Sequence, residues 1–364
     1  MDAVMKNHIY IVNEETRAAN YGIGTYIKQL VECFKNDESI SLHIVTLRSE
    51  YSEFTVNESD HVPVIHIPYN PNINNSESYE LYGRNAAFLL AGYIQNQDYG
   101  RLIFHFNYPI CGLLKTLKKL FPACHTVYTI HFDRMCLGHK GNIRLVKDKL
   151  AQQQDGANLN EDERKMFENV DHIICLSTCM EDLLINDYKI PAEKISLISN
   201  GIKDESLILS ELEKAELKQR LFIPADEEII LFVGRLDAIK GVEELIHSFK
   251  KVVCEIPDSK LVIAGEGVFT NYFSMSEGFW NKIIFTGALG KESLYDFYRI
   301  ADVGVIPSFY EQCSYVAIEM MMHGLPLIGT TAPGLDEMIE NPADKIQIEY
   351  GSCDEWIFCY PQWK

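Results

Sequence analysis

The sequence has few cations for its size. Its 364 residues carry 33 Lys and Arg against 52 Asp and Glu, a formal net charge of −19 at pH 7. Such a balance repels phosphate backbones and anionic lipid headgroups at long range, which argues against a general nucleic-acid binder. Long apolar runs are missing as well. Polar or charged residues interrupt every hydrophobic stretch well before the ~20 residues that a spanning helix needs. The start, Met1-Asp2-Ala3-Val4-Met5-Lys6, lacks the basic opening and apolar centre of a secretion signal. The expectation is a cytoplasmic chain with at most peripheral contact at the inner face of a membrane. Internal repeats and low-complexity segments are absent, which sets solenoids and propellers aside. Cysteine is dilute: ten are scattered, some inside apolar segments such as Ile173-Ile174-Cys175 and Val253-Cys254, where reduced, buried thiols are the simpler account. Cys124, His125, His131, Cys136 and His139 lie near one another, yet none of the standard zinc spacings fits them, so no metal is expected.

What is present is a globular composition, 47% hydrophobic and 11% aromatic, in a chain two to three times the usual ~150-residue domain. Strand and helix patterns alternate along it. Short, nearly continuous apolar runs begin with His8-Ile9-Tyr10-Ile11-Val12 and recur at residues 42–47, 64–67, 102–106, 127–130, 172–176 and 195–198. A second series occupies residues 229–233, 260–264, 282–285, 303–306 and 325–328. Runs of this kind are what strands buried on both faces look like. Between them lie helical stripes: Tyr26, Ile27, Leu30, Val31 and Phe34 in the first half, Val242, Leu245, Ile246 and Phe249 in the second. The fold class this predicts is α/β, with two Rossmann-like, doubly wound domains over residues 1–202 and 203–364 facing a cleft. The polar passage from Asn200 to Ser206 separates them.

Ligands of such sheets bind at the carboxyl ends of the strands. Unusual residues fall there repeatedly. Val233 is followed by Gly234, Arg235 and then Lys240-Gly241; Ala264 by Gly265-Glu266-Gly267; Phe285 by Thr286-Gly287; Ile306 by Pro307-Ser308 and Glu311; Ile130 by His131; and Val12 by a loop carrying Gly22 and Gly24, with a helix beginning near Thr25. Arg235 and Lys240 bracket a helix start, where free N–H groups and the dipole already favour an anion such as a diphosphate. In isolation both would read as solvated surface charges, and the strand-end setting Gly234-Arg235 with Lys240-Gly241 reverses that reading. Glu319 is embedded in Tyr315-Val316-Ala317-Ile318 and Met320-Met321-Met322, which reads as a buried helix with methionines and Tyr315 as core. A carboxylate there needs a bonding partner: either a salt bridge to a neighbouring helix or ligand hydroxyls. His131 is a candidate catalytic group or an interior histidine, and His105 sits at a comparable strand end. The amphipathic stretch Leu113 to Phe121 is either an ordinary helix with a basic face or a contact for a membrane or an anionic acceptor.

Taken in order, these motifs resemble the retaining glycosyltransferases of family four, the group 1 type with the GT-B fold. The carriers are Gly22-Ile23-Gly24, Tyr128-Thr129-Ile130-His131, Ser199-Asn200-Gly201-Ile202, the run from Phe232 through Gly234-Arg235 to Lys240-Gly241, Ala264-Gly265-Glu266-Gly267, and Glu311 with Glu319, which have seven residues between them. The resemblance implies an acceptor-binding first domain and a donor-binding second one. It implies that Arg235 and Lys240 hold the diphosphate of a nucleotide sugar and neutralise the leaving group without an essential metal, so no cofactor is expected. It further implies that Glu319 bonds the ribose and Glu311 the donor sugar, that Ser314, Tyr315 and Val316 offer backbone amides to the phosphates, and that Gly234, Gly265 and Gly287 line the donor site. His131 would lie beside the transferred sugar, and Gly22 and Gly24 would let the first domain approach the diphosphate. The partners would be a nucleotide-diphosphate sugar and the hydroxyl of a glycan, lipid or peptide acceptor. Gln312-Cys313-Ser314 stands where the family has Gly-Phe-Gly, a variant similar to that of a bacterial subgroup associated with peptide-modification genes. The family also continues past the last strand with closing helices, which the ending Cys359 to Lys364 leads us to expect missing. A nucleotide-sugar-binding relative without turnover and a same-fold epimerase are the competing readings.

Overall fold

A computed structural model describes residues 5–15, 21–152, 161–350 and 356–359, with backbone alone for 349–350 and 356–359. Most of the opening hexapeptide, residues 1–4, and residues 360–364 of the ending lie outside the described residues. Residues 1–135 with 144–201 form one compact unit, and residues 136–143 with 202–364 the other.

The first unit runs β1 (Asn7–Glu14), α1 (Gly22–Phe34), β2 (Ile40–Ser49), β3 (Thr55–Ser59), β4 (Val62–Pro68), α2 (Ser76–Ile94), β5 (Leu102–Phe106), α3 (Cys111–Leu120), β6 (His125–Ile130), the start of α4 (Arg134–Gly138), whose last three residues count with the other unit, α5 (Ile143–Ala151), α6 (Glu161–Asn169), β7 (His172–Cys175), α7 (Thr178–Asn186) and β8 (Ile195–Leu197). Its strands lie in the order β3-β4-β2-β1-β5-β6-β7-β8. All pairings are parallel except β3 with β4. β1 is central, and Tyr10, Ile11 and Val12 are sealed from solvent, as expected of a strand covered on both faces. β3 escapes the sequence pattern because four of its five residues are exposed and offer no apolar alternation. It joins β4 through a two-residue turn in which Asp60 and His61 both adopt positive φ, 49° and 64°, the conformation a tight hairpin of this hand requires.

Helix α1 begins at Gly22 rather than near Thr25, so Gly22 and Gly24 sit in its first turn and not in a loop. The reason is packing: Ile23, Ile27 and Val31 form one buried stripe, and the Thr25 amide already donates to the Tyr21 carbonyl at 2.8 Å. The amphipathic stretch is α3, whose Leu113, Leu114 and Leu117 are buried while Lys118 donates to Asp171 Oδ1 (2.6 Å) and the Asn169 carbonyl (2.9 Å). Among the described residues no helix is long and apolar enough to cross a membrane.

The second unit runs α8 (Glu211–Arg220), β9 (Glu228–Val233), α9 (Val242–Glu255), β10 (Ser259–Ala264), α10 (Thr270–Met275), β11 (Ile283–Gly287), α11 (Lys291–Ile300), β12 (Val303–Ile306), α12 (Tyr315–Met322), β13 (Leu327–Thr330), β14 (Lys345–Tyr350) and β15 (Trp356–Cys359). The order is β11-β10-β9-β12-β13-β14-β15, parallel up to β14, with β15 antiparallel at the border. β14 falls outside the series of apolar runs, since Lys345, Gln347 and Glu349 alternate with Ile346 and Ile348 as in a strand with one face toward water. The stripe Val242, Leu245, Ile246 and Phe249 is buried as its spacing requires. Met320 is core as well, but Met321 is 44% exposed, so the methionine run is only partly core.

Candidate active site

In each sheet one strand has neighbours that lead the chain off in opposite directions, the place where a doubly wound sheet opens a crevice. In the second unit that strand is β9, between β10 and β12. The glycines beyond these strands allow main chain to lie on main chain. The Gly234 amide donates to the Ala264 carbonyl (2.9 Å), Gly265 to Gly287 (2.9 Å) and Leu236 to Glu266 (2.9 Å). A Cβ on Gly265 would collide with the Gly234 carbonyl oxygen. Three strand ends are thus laced together without side chains between them.

Arg235 leaves this seam and pairs with Asp237 (Nη2 to Oδ2, 3.2 Å). Lys240 ends a single 3-10 turn, and Gly241, at φ 67°, turns the chain into α9. A Cβ on Gly241 would strike the Pro307 carbonyl. This close approach of the β9–α9 turn to the chain leaving β12 brings Lys240 Nζ within 2.5 Å of Glu311 Oε1. The Ser308 hydroxyl donates to the same oxygen at 2.8 Å, and the Thr330 hydroxyl donates to the Ser308 carbonyl. Glu311 is therefore fixed by a cation and a hydroxyl on a clamped loop.

Downstream, Ser314 caps α12, its hydroxyl accepting from the Ala317 amide at 3.4 Å, with Tyr315 and Val316 forming the first helical positions. Their amides lie at the positive end of the helix. One turn on, Glu319 Oε2 accepts from the Tyr298 hydroxyl of α11 at 2.7 Å. Its protein partner is thus a hydroxyl on a neighbouring helix, not the cation of a salt bridge. Burial pushes the Glu319 carboxyl above its ordinary value. Gln312 is buried, and its amide donates to the Tyr310 hydroxyl (2.5 Å).

In the first unit the central strand is β1, between β2 and β5. Asn107, just past β5, turns its amide nitrogen to the carbonyls of Val12 (3.3 Å) and His105 (3.5 Å), which leaves its oxygen 2.8 Å from His131 Nε2. His131 therefore carries its proton on Nε2. Tyr26 of α1 lies edge-on to the imidazole, ring centres 4.7 Å apart, and its hydroxyl meets Thr129 Oγ1 at 3.1 Å. That same Oγ1 is 2.7 Å from His105 Nε2. Burial pulls His131 down to about 3, helped by His105, and pulls His105 to about 4. Both rings are neutral near pH 7.

Directly after this strand end, Asp133 accepts from the Tyr188 hydroxyl (2.8 Å), and Glu163, sealed from solvent, accepts from the Arg134 amide (3.0 Å). Burial, reinforced by Asp133, pushes Glu163 well above the carboxylate range. The folded chain then holds a proton that the unfolded chain releases above about pH 4.3. Its contribution to stability accordingly falls as pH rises from there toward the raised folded value. Glu163→Gln removes that penalty. Its melting temperature should exceed the wild type's by a margin that grows from about pH 5 to pH 8; melting curves that shift in parallel at every pH would show that Glu163 is charged in the fold.

The second unit thus brings Gly234, Arg235, Lys240, Gly265, Gly287 and Glu311 to the carboxyl edge of its sheet, with Ser314, Tyr315, Val316 and Glu319 following on α12. His131, Gly22 and Gly24 belong to the first unit. Sequence reasoning gave no site role to Asn107, Thr129, Tyr26, Ser308 or Tyr298, although Thr129 and Ser308 stand within the motifs it singled out. Asn107 had a signal, an amide directly after a buried strand. Tyr298 had none, because it reads as another core aromatic.

Comparison with known proteins agrees with this architecture. The sucrose-phosphate synthase of Thermosynechococcus elongatus superposes with a TM-score of 0.74 at 22% identity, covering 94% of this chain and 86% of that one. Anabaena HepE, solved with UDP and glucose, gives 0.68 at 15% identity, covering 94% and 85%. At these identities the likeness concerns the fold, which is GT-B. The uncharacterized glycosyltransferase MJ1607 of Methanocaldococcus jannaschii is 34% identical over 181 residues, 48% of this chain and 46% of its own length. The match therefore spans about half of that relative. The model described as "Glycosyl transferases group 1" matches residues 213–356. The model described as "Glycosyltransferase Family 4" matches residues 21–206, just over half of the chain, and to that family the protein belongs.

Proposed function

We propose that the chain transfers a sugar from a nucleoside diphosphate sugar to an acceptor hydroxyl, with retention of anomeric configuration and without an essential metal. The observation that carries this is the pair of cations, Arg235 and Lys240, at the strand switch of the second unit, beside Glu311 and ahead of the α12 N-terminus. As the bond from the anomeric carbon to the diphosphate breaks, negative charge grows on the leaving oxygen, and fixed cations and amides stabilise it. The acceptor oxygen bonds to the same face of the sugar, and its proton passes to the departing phosphate. Glu311, held by Lys240 and Ser308, would accept from donor-sugar hydroxyls, and Glu319 from the ribose. His131, held neutral by its surroundings and oriented by Asn107, would contact the transferred sugar without adding charge. The second unit is the donor-binding half in this reading and the first the acceptor-binding half. HepE, of the same fold, was solved with UDP and glucose, which supports a nucleotide-linked donor.

The test is a thermal-shift screen against UDP, GDP and ADP sugars, with and without chelator, followed by transfer assays. Ligands that bind only the native state raise its melting temperature. One nucleotide class should give a chelator-insensitive shift that Arg235→Ala abolishes. No shift with any of them, or one that disappears with chelator, would overturn the donor assignment or its metal independence respectively.

A further inference from the structure

Glu319 is half-buried, and the protein itself bonds its carboxylate sparsely. A carboxylate offers about four acceptor positions, and here one is used, by the Tyr298 hydroxyl on Oε2. The nearby cation, Lys291, is committed to Glu205 and lies over the Tyr295 ring, with no hydrogen bond to Glu319. Among the described residues Glu319 Oε1 has no hydrogen-bond partner. That oxygen is open to donors from a ligand, and a neutral group presenting two adjacent hydroxyls suits it better than any anion.

The single bond that Glu319 does make is rigid. Tyr298 is 1% exposed, and its ring is stacked on His323, centres 5.5 Å apart and 21° between planes, with Tyr295 tilted against it at 6.1 Å. Two aromatic neighbours hold the ring, and the hydroxyl has no other acceptor among the described residues. A cation in the place of this hydroxyl would neutralise the carboxylate and compete for its oxygens. A hydroxyl orients the group and leaves its charge for the ligand.

We propose that Tyr298 is a positioning residue for donor recognition: by donating to Oε2 it turns Glu319 so that Oε1 accepts from the vicinal hydroxyls of a ribose. The proposal rests on the reading of the second unit as a nucleotide-sugar site and adds the residue that sets its preference for ribonucleotides.

The experiment compares affinities for UDP, GDP and ADP with those for their 2′,3′-dideoxy counterparts by calorimetry, in the full chain. Wild type should bind one ribonucleotide in clear preference to its dideoxy form. Tyr298→Phe keeps the ring in its stack and should lower that preference about tenfold, with the dideoxy affinity unchanged. Glu319→Ala should erase the preference, and adding Tyr298→Phe to it should change nothing more. A purely structural tyrosine gives a different pattern, weakening both ligands equally, and that result or an undiminished preference overturns the proposal. If Tyr298→Phe does not fold, wild type carries the test: the Tyr298 hydroxyl proton resonance should shift with the ribonucleotide and not with the dideoxy form, and an equal response to both overturns the proposal. Failure of wild type to bind any of the three diphosphates is a separate result, which removes the donor-site reading and this proposal with it.

Discussion

Lys240→Ala should lower kcat/KM for sugar transfer by about three orders of magnitude. The ammonium stands 2.5 Å from Glu311 and next to the turn into α9, where the leaving diphosphate would be held. Removing a fixed donor from a site of developing charge costs about 100- to 1,000-fold, and here the same change also releases Glu311. That second effect has its own signature. Glu311 is largely buried, 12% exposed at its side chain, and without Lys240 it keeps only the Ser308 hydroxyl. An uncompensated carboxylate of this kind costs stability as well as rate. The double variant Lys240→Met with Glu311→Gln separates the two, since it removes both charges: it should regain the melting temperature that Lys240→Ala loses and remain inactive. Near-wild-type turnover in Lys240→Ala would remove the lysine from the mechanism.

Gly265→Val should strongly destabilise the second unit. At this position a Cβ falls on the Gly234 carbonyl, and φ is 154°, which side chains of L-residues rarely adopt. The clash cannot be relieved by rotating a side chain, because the obstructing atom is backbone that is itself bonded to β10 through the Ala264 carbonyl. A loss of about 4 kcal/mol or more is expected, lowering the melting temperature by about 10 °C or more. Gly278→Ala is the matched control. It also has a positive φ, 88°, but open space around it, so it reports backbone strain without collision. Equal melting temperatures for the two variants would show that the seam tolerates a side chain.

The sheets were legible because their strands are buried on both faces, and burial of that kind writes itself as uninterrupted apolar runs. Residues 102–106 and 303–306 coincide with β5 and β12. The strands that escaped lie toward the borders, where one face meets water: β3 is exposed, and β14 mixes charge with apolar residues. Candidate site residues were visible where an unusual residue follows such a run, as with Arg235, Glu311 and His131. Their supports were not. Asn107 acts through an amide orientation set by two carbonyls, and Tyr298 through a hydroxyl at the rim of a packed ring. Neither property has a sequence period. The onset of α1 was misplaced for a related reason, since glycines at 22 and 24 suggest a loop until the burial of Ile23 is known.

The hairpin at the border of the first sheet bears on how that sheet assembles. β3 and β4 are joined by two residues and can meet within ~1–10 μs, the time a hairpin needs to close. Every other pairing in this sheet is parallel and has to wait for a crossover. The central strand β1 is the extreme case: its partner β2 begins at Ile40 and its partner β5 only at Leu102. Loop closure over such separations carries an entropic cost that must be met before the contacts can repay it. The earliest native pairing therefore forms at the rim and leaves β1 untouched. The strand that positions the candidate site in this unit is completed only when distant parts of the chain have come together.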